Sequence, residues 1–369
     1  MIGARRKRTP SLWIRVANMF GPGTVIGILG GGQLGKMLAA AAGRLGLEVH
    51  IYAPEQASIA RSLAKYNTVA EYDDEAALEQ FAHACDVVTY EFENVPARTA
   101  AIAGEKSVLR PGALALEVAQ DRLTEKTFLR DKAGVPVIGF KDVKSVFDLK
   151  RAGKEFGWPI ILKTRRFGYD GKGQVKVDSE AGAQAAFDSL SGDLIAEAFA
   201  PFAREVSVVA ARGPDGAFAA YPLIENLHRN HILHMSTCPT HSDKGAAKDM
   251  AKSIMDALDY VGVMATEFFQ MDDGSLIINE IAPRVHNSGH LTQDAGCTDQ
   301  FEQHIRAICG WPLGSAVPAH TTQMTNLIGD DALVWEELAA DPSAHIHLYG
   351  KGAPRAGRKM GHVNRIVKD

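Results

Sequence analysis

The sequence predicts a mixed fold, part α/β and part α+β, and three observations support this prediction. Between residues 24 and 120, short apolar runs alternate with helical stretches, as in a parallel sheet covered by helices. Beyond residue 158, apolar strands are joined by short glycine-containing segments, which is typical of antiparallel hairpins. With 369 residues, 46% of them hydrophobic and 23% charged, the chain has the composition of a globular protein of two or three domains.

Charge and cysteine usage limit the classes of function. The formal net charge of −4 argues against a general nucleic-acid binder, which needs a basic excess to displace counterions. The cysteines Cys85, Cys238, Cys297 and Cys309 are far apart, so we expect reduced thiols and a cytoplasmic location. Residues 1–22 begin with basic residues, but the many glycines that follow make a poor membrane anchor. We predict a disordered extension there and no membrane partner.

The first glycine motif directly follows the first predicted strand. Gly30, Gly32 and Gly35 fit the pattern G-x-G-x-x-G before a helix. These glycines permit a tight turn, and the free N–H groups of the helix attract phosphate. A dinucleotide site also needs an acid at the end of the second strand, and Glu55 lies slightly past that place. Dinucleotide binding, a mononucleotide phosphate site and a tight strand–helix junction stay open, and the last two fit better.

A second glycine-rich segment follows a lysine. Lys163 ends an apolar strand, and the stretch Gly168-Tyr-Asp-Gly-Lys-Gly-Gln174 comes five residues later. A loop with several glycines brings backbone N–H groups close to phosphates, and Lys172 adds a positive charge. The spacing differs from that of a P-loop. A polar hairpin turn is the alternative interpretation.

Two carboxylates in apolar strands are the most informative signal. Glu267 lies in one strand, and Glu280 ends the strand that follows the turn at residues 272–274. A hairpin makes them neighbours, and two adjacent carboxylates repel unless a cation lies between them. Magnesium, which binds one or two carboxylates together with nucleotide phosphates, is the natural candidate. The alternative is a pair of edge carboxylates that face water.

Polar and basic residues cluster after Glu280 and again near the C-terminus. The stretch from Arg284 to His290 places a guanidinium, two imidazoles, an amide and a hydroxyl behind a carboxylate. Arg284 suits a planar anion such as bicarbonate or phosphate. Residues 351–359 are basic and glycine-rich, and they form either a solvated loop or a clamp for a second phosphorylated substrate.

Several of these segments resemble one family. The chain is similar to the ATP-grasp carboxylate–amine ligases, and within them to the branch that carboxylates aminoimidazole ribonucleotide. The similarity rests, in family order, on Gly30–Gly35, Thr89–Pro96, Asp121–Lys126, Gly168–Gln174, Tyr221–His228, Asn279–His290 and Pro354–His362. The stretch Asn279–His290 is highly specific, whereas the N-terminal glycines alone are a weak signal.

The resemblance implies an ATP-grasp fold with an N-terminal Rossmann-like domain. The implied divisions are an extension (residues 1–22), an N-terminal domain (23–122), a small lid domain (123–196) and a C-terminal domain (197–369). Two features depart from the family pattern. Ala282 stands where many ATP-grasp enzymes have Asn, and the chain ends soon after His362, so we expect a shortened last domain.

The resemblance also implies a set of site residues, with ATP and Mg²⁺ as cofactors and Glu267 and Glu280 as metal ligands. The implied ATP contacts are Arg122, Lys163, Gly168, Tyr169, Asp170, Gly171, Lys172, Gly173, Gln174, Glu197, Ala198, Phe199, Ala200, Glu205, His228, Asn279 and Glu280. The implied contacts with aminoimidazole ribonucleotide are Gln33, Glu91, Tyr169, Asp170, Lys172, His286, Asn287, Ser288, Lys351, Arg355 and Arg358. We assign catalysis to Lys163, Lys172 and Arg284.

The implied reaction starts with phosphorylation of bicarbonate by ATP to carboxyphosphate. The amine of aminoimidazole ribonucleotide then takes the carboxyl group and leaves ADP and phosphate, as a step of purine biosynthesis. The resemblance also implies a homodimer. The alternatives are a ligase that uses formate and glycinamide ribonucleotide, a nicotinamide-dependent dehydrogenase built on the first glycine motif, and a silent nucleotide-binding module.

Overall fold

Parallel strand pairing organises the first part of the molecule. The computed structural model of the protein describes residues 19–168, 171–240 and 245–367. Within this described chain, one sheet consists of β1 (Val25–Leu29), β2 (Glu48–Tyr52), β3 (Tyr66–Thr68), β4 (Val87–Tyr90) and β5 (Val108–Leu109). The strand order is β3-β2-β1-β4-β5, and all neighbouring strands are parallel.

Helices cover both faces of this sheet. They are α1 (Gln33–Arg44), α2 (Glu75–Ala84) and α3 (Ala97–Lys106). Ile26 and Ile28 of β1 pack with residues of α1, whereas Val25 and Leu29 pack with residues of α2 and α3. Because both faces are buried, the strand is a continuous apolar run. The predicted Rossmann-like N-terminal sheet is confirmed.

A small antiparallel sheet follows. Its strands are β6 (Phe140–Val143), β7 (Ile160–Thr164), β8 (Gln174–Val177) and β9 (Leu194–Ala198), in the order β6-β9-β7-β8. Two helices, α6 (Val146–Phe156) and α7 (Ala183–Ser189), pack on it. The predicted boundary between residues 196 and 197 falls inside β9, because Glu197 still pairs with Phe140 and Ile161 in this sheet.

The large sheet carries most of the remaining chain. Among the described residues it contains β10 (Arg204–Arg212), β11 (Phe218–Ala220), β12 (Ile224–Arg229), β13 (Ile232–Cys238), β14 (Gly262–Gln270), β15 (Leu276–Ala282), β16 (Thr322–Ile328), β17 (His345–Leu348) and β18 (Lys359–Ile366). The order is β15-β14-β10-β12-β13-β16-β18-β17, with β11 beside β10. The helices of this region are α8 (Ala246–Ala257), α9 (Gln300–Ile308) and α10 (Trp335–Ala340). Two further helices, α4 (Ala113–Ala119) and α5 (Arg122–Asp131), connect the N-terminal sheet to the small sheet along the chain.

Helix α5 contacts both the small and the large sheet. Its cap is Asp121, whose carboxylate accepts the backbone N–H groups of Leu123 and Thr124 at 3.1 Å. The same carboxylate lies 2.9 Å from Nη2 of Arg165, which directly follows β7 of the small sheet. The residue that caps α5 therefore also ties this helix to the small sheet.

The first described residues belong to the folded part of the chain. The N–H of Phe20 donates to the carbonyl oxygen of Cys309 at 2.9 Å, and Nε1 of Trp311 donates to that of Phe20 at 2.6 Å. The predicted extension over 1–22 is therefore wrong for residues 19–22, because Phe20 packs against the core. Residues 1–18 lie outside the described residues. No helix in the described part of the chain has the length and apolar character needed to span a bilayer.

Candidate active site

Two glutamates lie side by side on the large sheet. Glu267 of β14 and Glu280 of β15 are register partners in an antiparallel pair, so their side chains leave the same face. The turn at residues 272–274 closes the hairpin, as its Asp-Asp-Gly sequence predicts. The predicted adjacency of the two carboxylates is confirmed.

Each of these carboxylates has a basic neighbour. Nη1 of Arg122 lies 2.8 Å from Oε2 of Glu280, and Nε2 of His286 lies 3.0 Å from Oε1 of Glu267. Burial opposes ionisation of Glu280, but Arg122, with Lys163 and Lys126, outweighs burial and holds the pKa of Glu280 below its ordinary value. Glu280 is therefore ionised at neutral pH, which is the form that binds cations.

Helix α5 holds the backbone on both sides of Glu280. Oε1 of Glu125 accepts the N–H of Ile281 at 2.8 Å. Nζ of Lys126 donates to the carbonyl oxygen of Asn279 at 2.8 Å. Both side chains are buried, and burial raises the pKa of Glu125 to about 8. Adjacent residues of one helix thus fix the strand segment that carries the carboxylate.

Positive side chains converge on a buried carboxylate between the small sheet and α5. Nζ of Lys163 lies 2.6 Å from Oε2 of Glu197, and Nζ of Lys126 lies 3.3 Å from Oε1. Burial opposes ionisation of Glu197, but the two lysines lower its pKa to about 2. Burial also lowers the pKa of Lys163. With Arg122 close by, cations outnumber carboxylates here, and an anion such as a triphosphate would complement this charge.

The predicted phosphate loop joins β7 to β8. Gly171 and Gly173 have φ angles of 77° and 70°, a conformation that favours glycine. Nη2 of Arg122 donates to the carbonyl oxygen of Gly168 at 3.2 Å. The start of the loop therefore contacts the same arginine that pairs with Glu280. At the other end, the register partner of Lys163 is Gln174. Two predicted loop contacts lie outside the described residues: Tyr169 and Asp170.

The residues predicted for the nucleoside end lie where β9 leaves the small sheet. Ala198 ends β9, Phe199 is exposed and Ala200 is buried. Beyond them, Glu205 of β10 pairs with Nδ1 of His228 of β12. Burial disfavours the charged form of His228, but the hydrogen bond with Glu205 and the charges of Glu205 and Glu267 together outweigh burial and raise the pKa of His228. The structure thus brings the predicted ribose acceptor and its histidine together.

The first glycine motif is filled by a carboxylate of the protein itself. Glu91, which follows β4, accepts the N–H of Gly32, and it accepts the N–H of Gly35 at 2.6 Å. A Cβ on Gly30 would lie 2.3 Å from Cγ of Glu91, so glycine is required there. Burial raises the pKa of Glu91 although both amides favour its charged form. The carboxylate occupies the position of a pyrophosphate, so the motif is a tight strand–helix junction and the dinucleotide interpretation is wrong.

The C-terminal basic loop faces this junction. Nζ of Lys36, in the first turns of α1, donates to the carbonyl oxygen of Tyr349 at 2.9 Å. Lys351 is close enough to Glu91 for the two side chains to attract each other. The structure therefore brings the two halves of the predicted ribonucleotide site, the start of α1 with Gln33 and the loop after β17, to one place.

Within the loop, backbone oxygens hold the cations. Nζ of Lys351 donates to the carbonyl oxygen of Lys359 at 2.7 Å, and Nη1 of Arg358 donates to that of Lys351 at 3.4 Å. Burial, together with Arg358 and Lys359, lowers the pKa of Lys351 to about 8. Arg355 is exposed at the loop surface. This loop presents positive charge at the junction between the large sheet and the N-terminal domain.

The segment after β15 contains the amide of Asn287 and the hydroxyl of Ser288, and the two differ in their hydrogen bonds. Nδ2 and Oδ1 of Asn287 are buried and have no hydrogen-bond partner among the described residues. Ser288 is fully buried, and its hydroxyl contacts Nδ1 of His286 at 2.9 Å and the hydroxyl of Ser207 at 2.8 Å. The hydroxyl of Ser288 is therefore engaged within the protein, and the substrate contact that the resemblance implies for Ser288 stays a prediction.

Arg284 is held by an acid from the N-terminal domain. Its Nε and Nη2 form a bidentate pair with Glu93, and the Nη2–Oε1 distance is 3.0 Å. Burial opposes ionisation of Glu93, but Arg284 lowers its pKa to about 2. The guanidinium edge that suits a planar anion is thus occupied by a carboxylate, and its contact with bicarbonate stays a prediction.

Sequence reasoning missed three of these charged residues: Glu93, Glu125 and Lys126. All three lie within segments that carry the family resemblance. The available signal was their spacing, since Glu125 and Lys126 lie three and four residues after Arg122 and therefore share one face of α5. Charged residues on a helix face that lies against apolar strands indicate buried ion pairs rather than a solvated surface.

A cation cluster beneath a glycine loop, facing two carboxylates on a second sheet, defines an ATP-grasp enzyme. An ATP-grasp domain model matches residues 128–301. A ribonucleotide synthetase pre-ATP-grasp domain model matches residues 24–120. A phosphoribosylaminoimidazole carboxylase C-terminal domain model matches residues 322–369.

Similar proteins identify the particular family. A Brucella melitensis protein named N5-carboxyaminoimidazole ribonucleotide synthase is 47% identical over 351 residues, which are 94% of this chain and 97% of that protein. A Staphylococcus aureus N5-carboxyaminoimidazole synthetase, solved with ADP, matches with a TM-score of 0.91, 40% identity and coverage of 95% of both chains. An Aspergillus clavatus synthase, solved with ADP and 5-aminoimidazole ribonucleotide, matches with a TM-score of 0.86, 31% identity and coverage of 94% of both chains. The chain belongs to the family of N5-carboxyaminoimidazole ribonucleotide synthases.

Proposed function

We propose that the protein uses ATP to carboxylate 5-aminoimidazole ribonucleotide with bicarbonate. Bicarbonate attacks the γ-phosphorus of ATP and forms carboxyphosphate and ADP. The amine then takes the carboxyl group, which yields N5-carboxyaminoimidazole ribonucleotide, releases phosphate and leaves one proton to solvent. The observation that carries this proposal is the register pair Glu267–Glu280 opposite the cations Arg122 and Lys163, in a chain of this family.

The phosphate end of ATP would lie between the glycine loop and the carboxylate pair. Lys163 and Arg122 would move from Glu197 and Glu280 toward the phosphoryl oxygens, and Lys172 of the loop would add a third charge. Such fixed charges stabilise a phosphoryl group in transfer without covalent chemistry by the protein. The adenine would lie against the chain at residues 197–200, and Glu205 with His228 would receive the ribose.

Magnesium fits the donor set of this site. Glu267 and Glu280 offer two carboxylates on one face, and Oδ1 of the neighbouring Asn279 is buried without a partner among the described residues. Two carboxylates without His or Cys ligands suit a hard cation that takes its other ligands from water and phosphate. When bound, Mg²⁺ neutralises charge on the phosphoryl oxygens.

The ribonucleotide would bind where the N-terminal domain meets the C-terminal basic loop. Lys351, Arg355 and Arg358 would hold its phosphate, because they supply the positive charge at this junction. Gln33, Glu91 and Asn287 offer polar groups for the ribose and the heterocycle, and His286 lies between this site and the carboxylate pair. A glycine loop that closes over both substrates would exclude water from carboxyphosphate.

We also propose a homodimer in the cytoplasm that binds small molecules rather than nucleic acid or membranes. The net charge of −4 supports the proposal that the protein does not bind nucleic acid, and the four widely spaced cysteines support a cytoplasmic location. Light scattering of the purified protein tests the assembly, with roughly twice the chain mass as the expected result. A single-chain mass at assay concentration would overturn the homodimer.

The substrate assignment is tested by ADP release from the purified protein with ATP and Mg²⁺. We expect turnover that requires both bicarbonate and 5-aminoimidazole ribonucleotide. The matched reaction contains formate and glycinamide ribonucleotide, and we expect it to stay at background. Turnover only in the second reaction would replace the proposed function with the formate-dependent alternative.

A further inference from the structure

A line of buried polar side chains crosses the large sheet beneath the carboxylate pair. Oγ of Ser236 donates to Oδ1 of Asn226 at 2.8 Å, and Nδ2 of Asn226 donates to Oγ of Ser207 at 2.9 Å. The hydroxyls of Ser207 and Ser288 lie 2.8 Å apart. All four residues are at most 8% exposed, so solvent does not compete for these hydrogen bonds.

The line ends on His286. Oγ of Ser288 lies 2.9 Å from Nδ1 of His286, and the backbone N–H of Ser288 also points at Nδ1, at 3.4 Å. The other ring nitrogen, Nε2, lies 3.0 Å from Oε1 of Glu267. Gln300 fixes the backbone of His286 by accepting its N–H at 2.8 Å and donating to its carbonyl oxygen at 2.7 Å.

The hydrogen bonds of this line run in one direction. Because the amide of Asn226 donates to Ser207, the hydroxyl hydrogen of Ser207 is left for Ser288. The hydroxyl hydrogen of Ser288 is then left for Nδ1 of His286, which must be the acceptor nitrogen. Nε2 therefore carries the hydrogen and donates it to Glu267. The opposite direction would place the Nε2 lone pair against a carboxylate.

Strand register places the line next to the carboxylates. Ser207 of β10 is the register partner of Glu267 of β14, and Glu267 is in turn the partner of Glu280 of β15. Ser236 of β13 is the register partner of Asn226 of β12. Ser207, Asn226 and Ser236 are thus part of the sheet itself, and Ser288 reaches them from the segment after β15.

We propose that this line is a positioning network that holds His286 as an Nε2–H donor to Glu267, with the members Ser236, Asn226, Ser207 and Ser288. A donor fixed in this way orients the carboxylate toward the site it shares with Glu280. This inference rests on the proposed function for its kinetic consequence, but not for its geometry. It gives Ser207, Asn226 and Ser236 a role, and it makes Ser288 a positioning residue instead of a substrate contact.

The state of the His286 ring tests the geometry without any turnover. In protein with ¹⁵N-labelled histidine, at a pH where the ring is neutral, His286→Gln assigns the signals of residue 286. We expect Nε2 to carry the hydrogen, with slow exchange against water. An Nδ1–H tautomer in the wild-type protein would overturn the proposal. The tautomer is measured on the wild-type protein, and the variant serves only to assign the signals.

Variants then test the network. Ser207→Ala and Ser288→Ala should both speed exchange of the Nε2–H, because the ring loses its support. The matched control is Thr266→Val, since Oγ1 of Thr266 is equally buried on β14 but has no partner among the described residues. The control should leave the exchange unchanged. Unchanged exchange in both serine variants would overturn the network.

Kinetics separate positioning from binding. Loss of the outer partner of a metal ligand typically costs about ten- to a hundredfold in activity. The serines support that partner, His286, from behind, so both serine variants should lower kcat by about tenfold, the lower end of this range. The KM for 5-aminoimidazole ribonucleotide should stay within about twofold, since neither hydroxyl meets the substrate. A raised KM at unchanged kcat in Ser288→Ala, with wild-type kinetics in Ser207→Ala, would show a direct substrate contact. Absence of any turnover in the wild-type protein would instead refute the proposed function and leave the ring measurement standing.

Discussion

Arg122 and Glu280 are paired at 2.8 Å across the interface between α5 and the large sheet. The residue before Arg122 is Asp121, which binds Arg165 of the small domain, so a single turn of helix touches both sheets that enclose the site. The residues that follow on α5 hold the backbone at 279 and 281. The position of the carboxylate is thus fixed by this helix as well as by its own hairpin.

Replacement of this carboxylate should stop ATP turnover. Glu280→Gln keeps the shape of the side chain but removes a charge that the proposed cation needs. We expect a fall in kcat of at least about a hundredfold in the ADP-release assay, as for the loss of a preorganised electrostatic contact. Mn²⁺ titration of the same variant should show weakened binding.

Asp272→Asn is the matched control for Glu280→Gln, because Asp272 is an exposed carboxylate in the turn of the same hairpin. It should retain the wild-type rate. Near-normal turnover in Glu280→Gln would refute the assignment of Glu280 as a metal ligand.

Loss of the buried ammonium of Lys126 should destabilise the fold. Lys126→Met leaves the Asn279 carbonyl oxygen without its donor and leaves Glu197 with one lysine. Breaking a buried ion pair costs about 3–5 kcal/mol, so the denaturant midpoint should fall clearly. Lys65→Met removes an exposed partner of Glu48 and should not move the midpoint measurably. An unchanged midpoint in Lys126→Met would contradict the buried pair.

Arg284 should not be replaceable by lysine. Its fork binds Glu93 through two nitrogens, and a single ammonium cannot reproduce this geometry. If the same fork meets bicarbonate, Arg284→Lys should lower kcat/KM for bicarbonate by about tenfold or more, since one charge-assisted hydrogen bond is worth about 1.5–3 kcal/mol.

Arg130→Lys is the control for this change, because Arg130 forms a similar fork with Asp131 at the exposed surface, with distances of 2.6 and 2.9 Å. It should keep wild-type kinetics. Equal effects of the two variants would mean that the fork of Arg284 serves no role in the reaction.

The buried imidazole of His304 should make the stability of the fold depend on pH. Nδ1 of its ring accepts the N–H of Val263 at 3.0 Å, Nε2 contacts Oγ1 of Thr89 at 2.8 Å, and burial lowers the pKa of His304 to about 3. The folded protein keeps the ring neutral, whereas the unfolded chain takes up a proton below the ordinary value of 6.5. This contribution to stability is full above pH 6.5 and is lost as the pH falls toward 3.

Unfolding temperatures across this pH range test that prediction. His304→Gln should be less stable at neutral pH, and its deficit should shrink as the pH falls from 6.5 toward 3. His83→Gln, at an exposed position of α2, should follow the wild-type curve. A deficit that stays constant with pH would show that His304 is not buried in its neutral form.

The sequence predicts those features that depend on local pattern. Apolar runs and glycine turns place the strands, and the hairpin spacing makes Glu267 and Glu280 neighbours. The first glycine motif left its role open because the deciding residue, Glu91, lies 56 residues from Gly35. No local signal reports which anion fills a helix N-terminus.

The long-range pairs were not predictable for the same reason. Glu93 and Arg284 are 191 residues apart, and Lys126 and Asn279 are 153 apart. Their pairing depends on how the N-terminal domain and α5 pack on the large sheet. Polar residues buried in a strand, such as Ser207, have the same appearance in sequence as residues that face water, and only the register shows their partners.

The most direct test of the central claim follows oxygen from bicarbonate. If bicarbonate attacks the γ-phosphorus and carboxyphosphate then gives up its carboxyl group, the bridging oxygen stays on phosphorus. Turnover of ¹⁸O-labelled bicarbonate with ATP and 5-aminoimidazole ribonucleotide should therefore yield inorganic phosphate with one labelled oxygen. Phosphate without label, formed at the same rate as the carboxylated product, would contradict phosphorylation of bicarbonate by this enzyme.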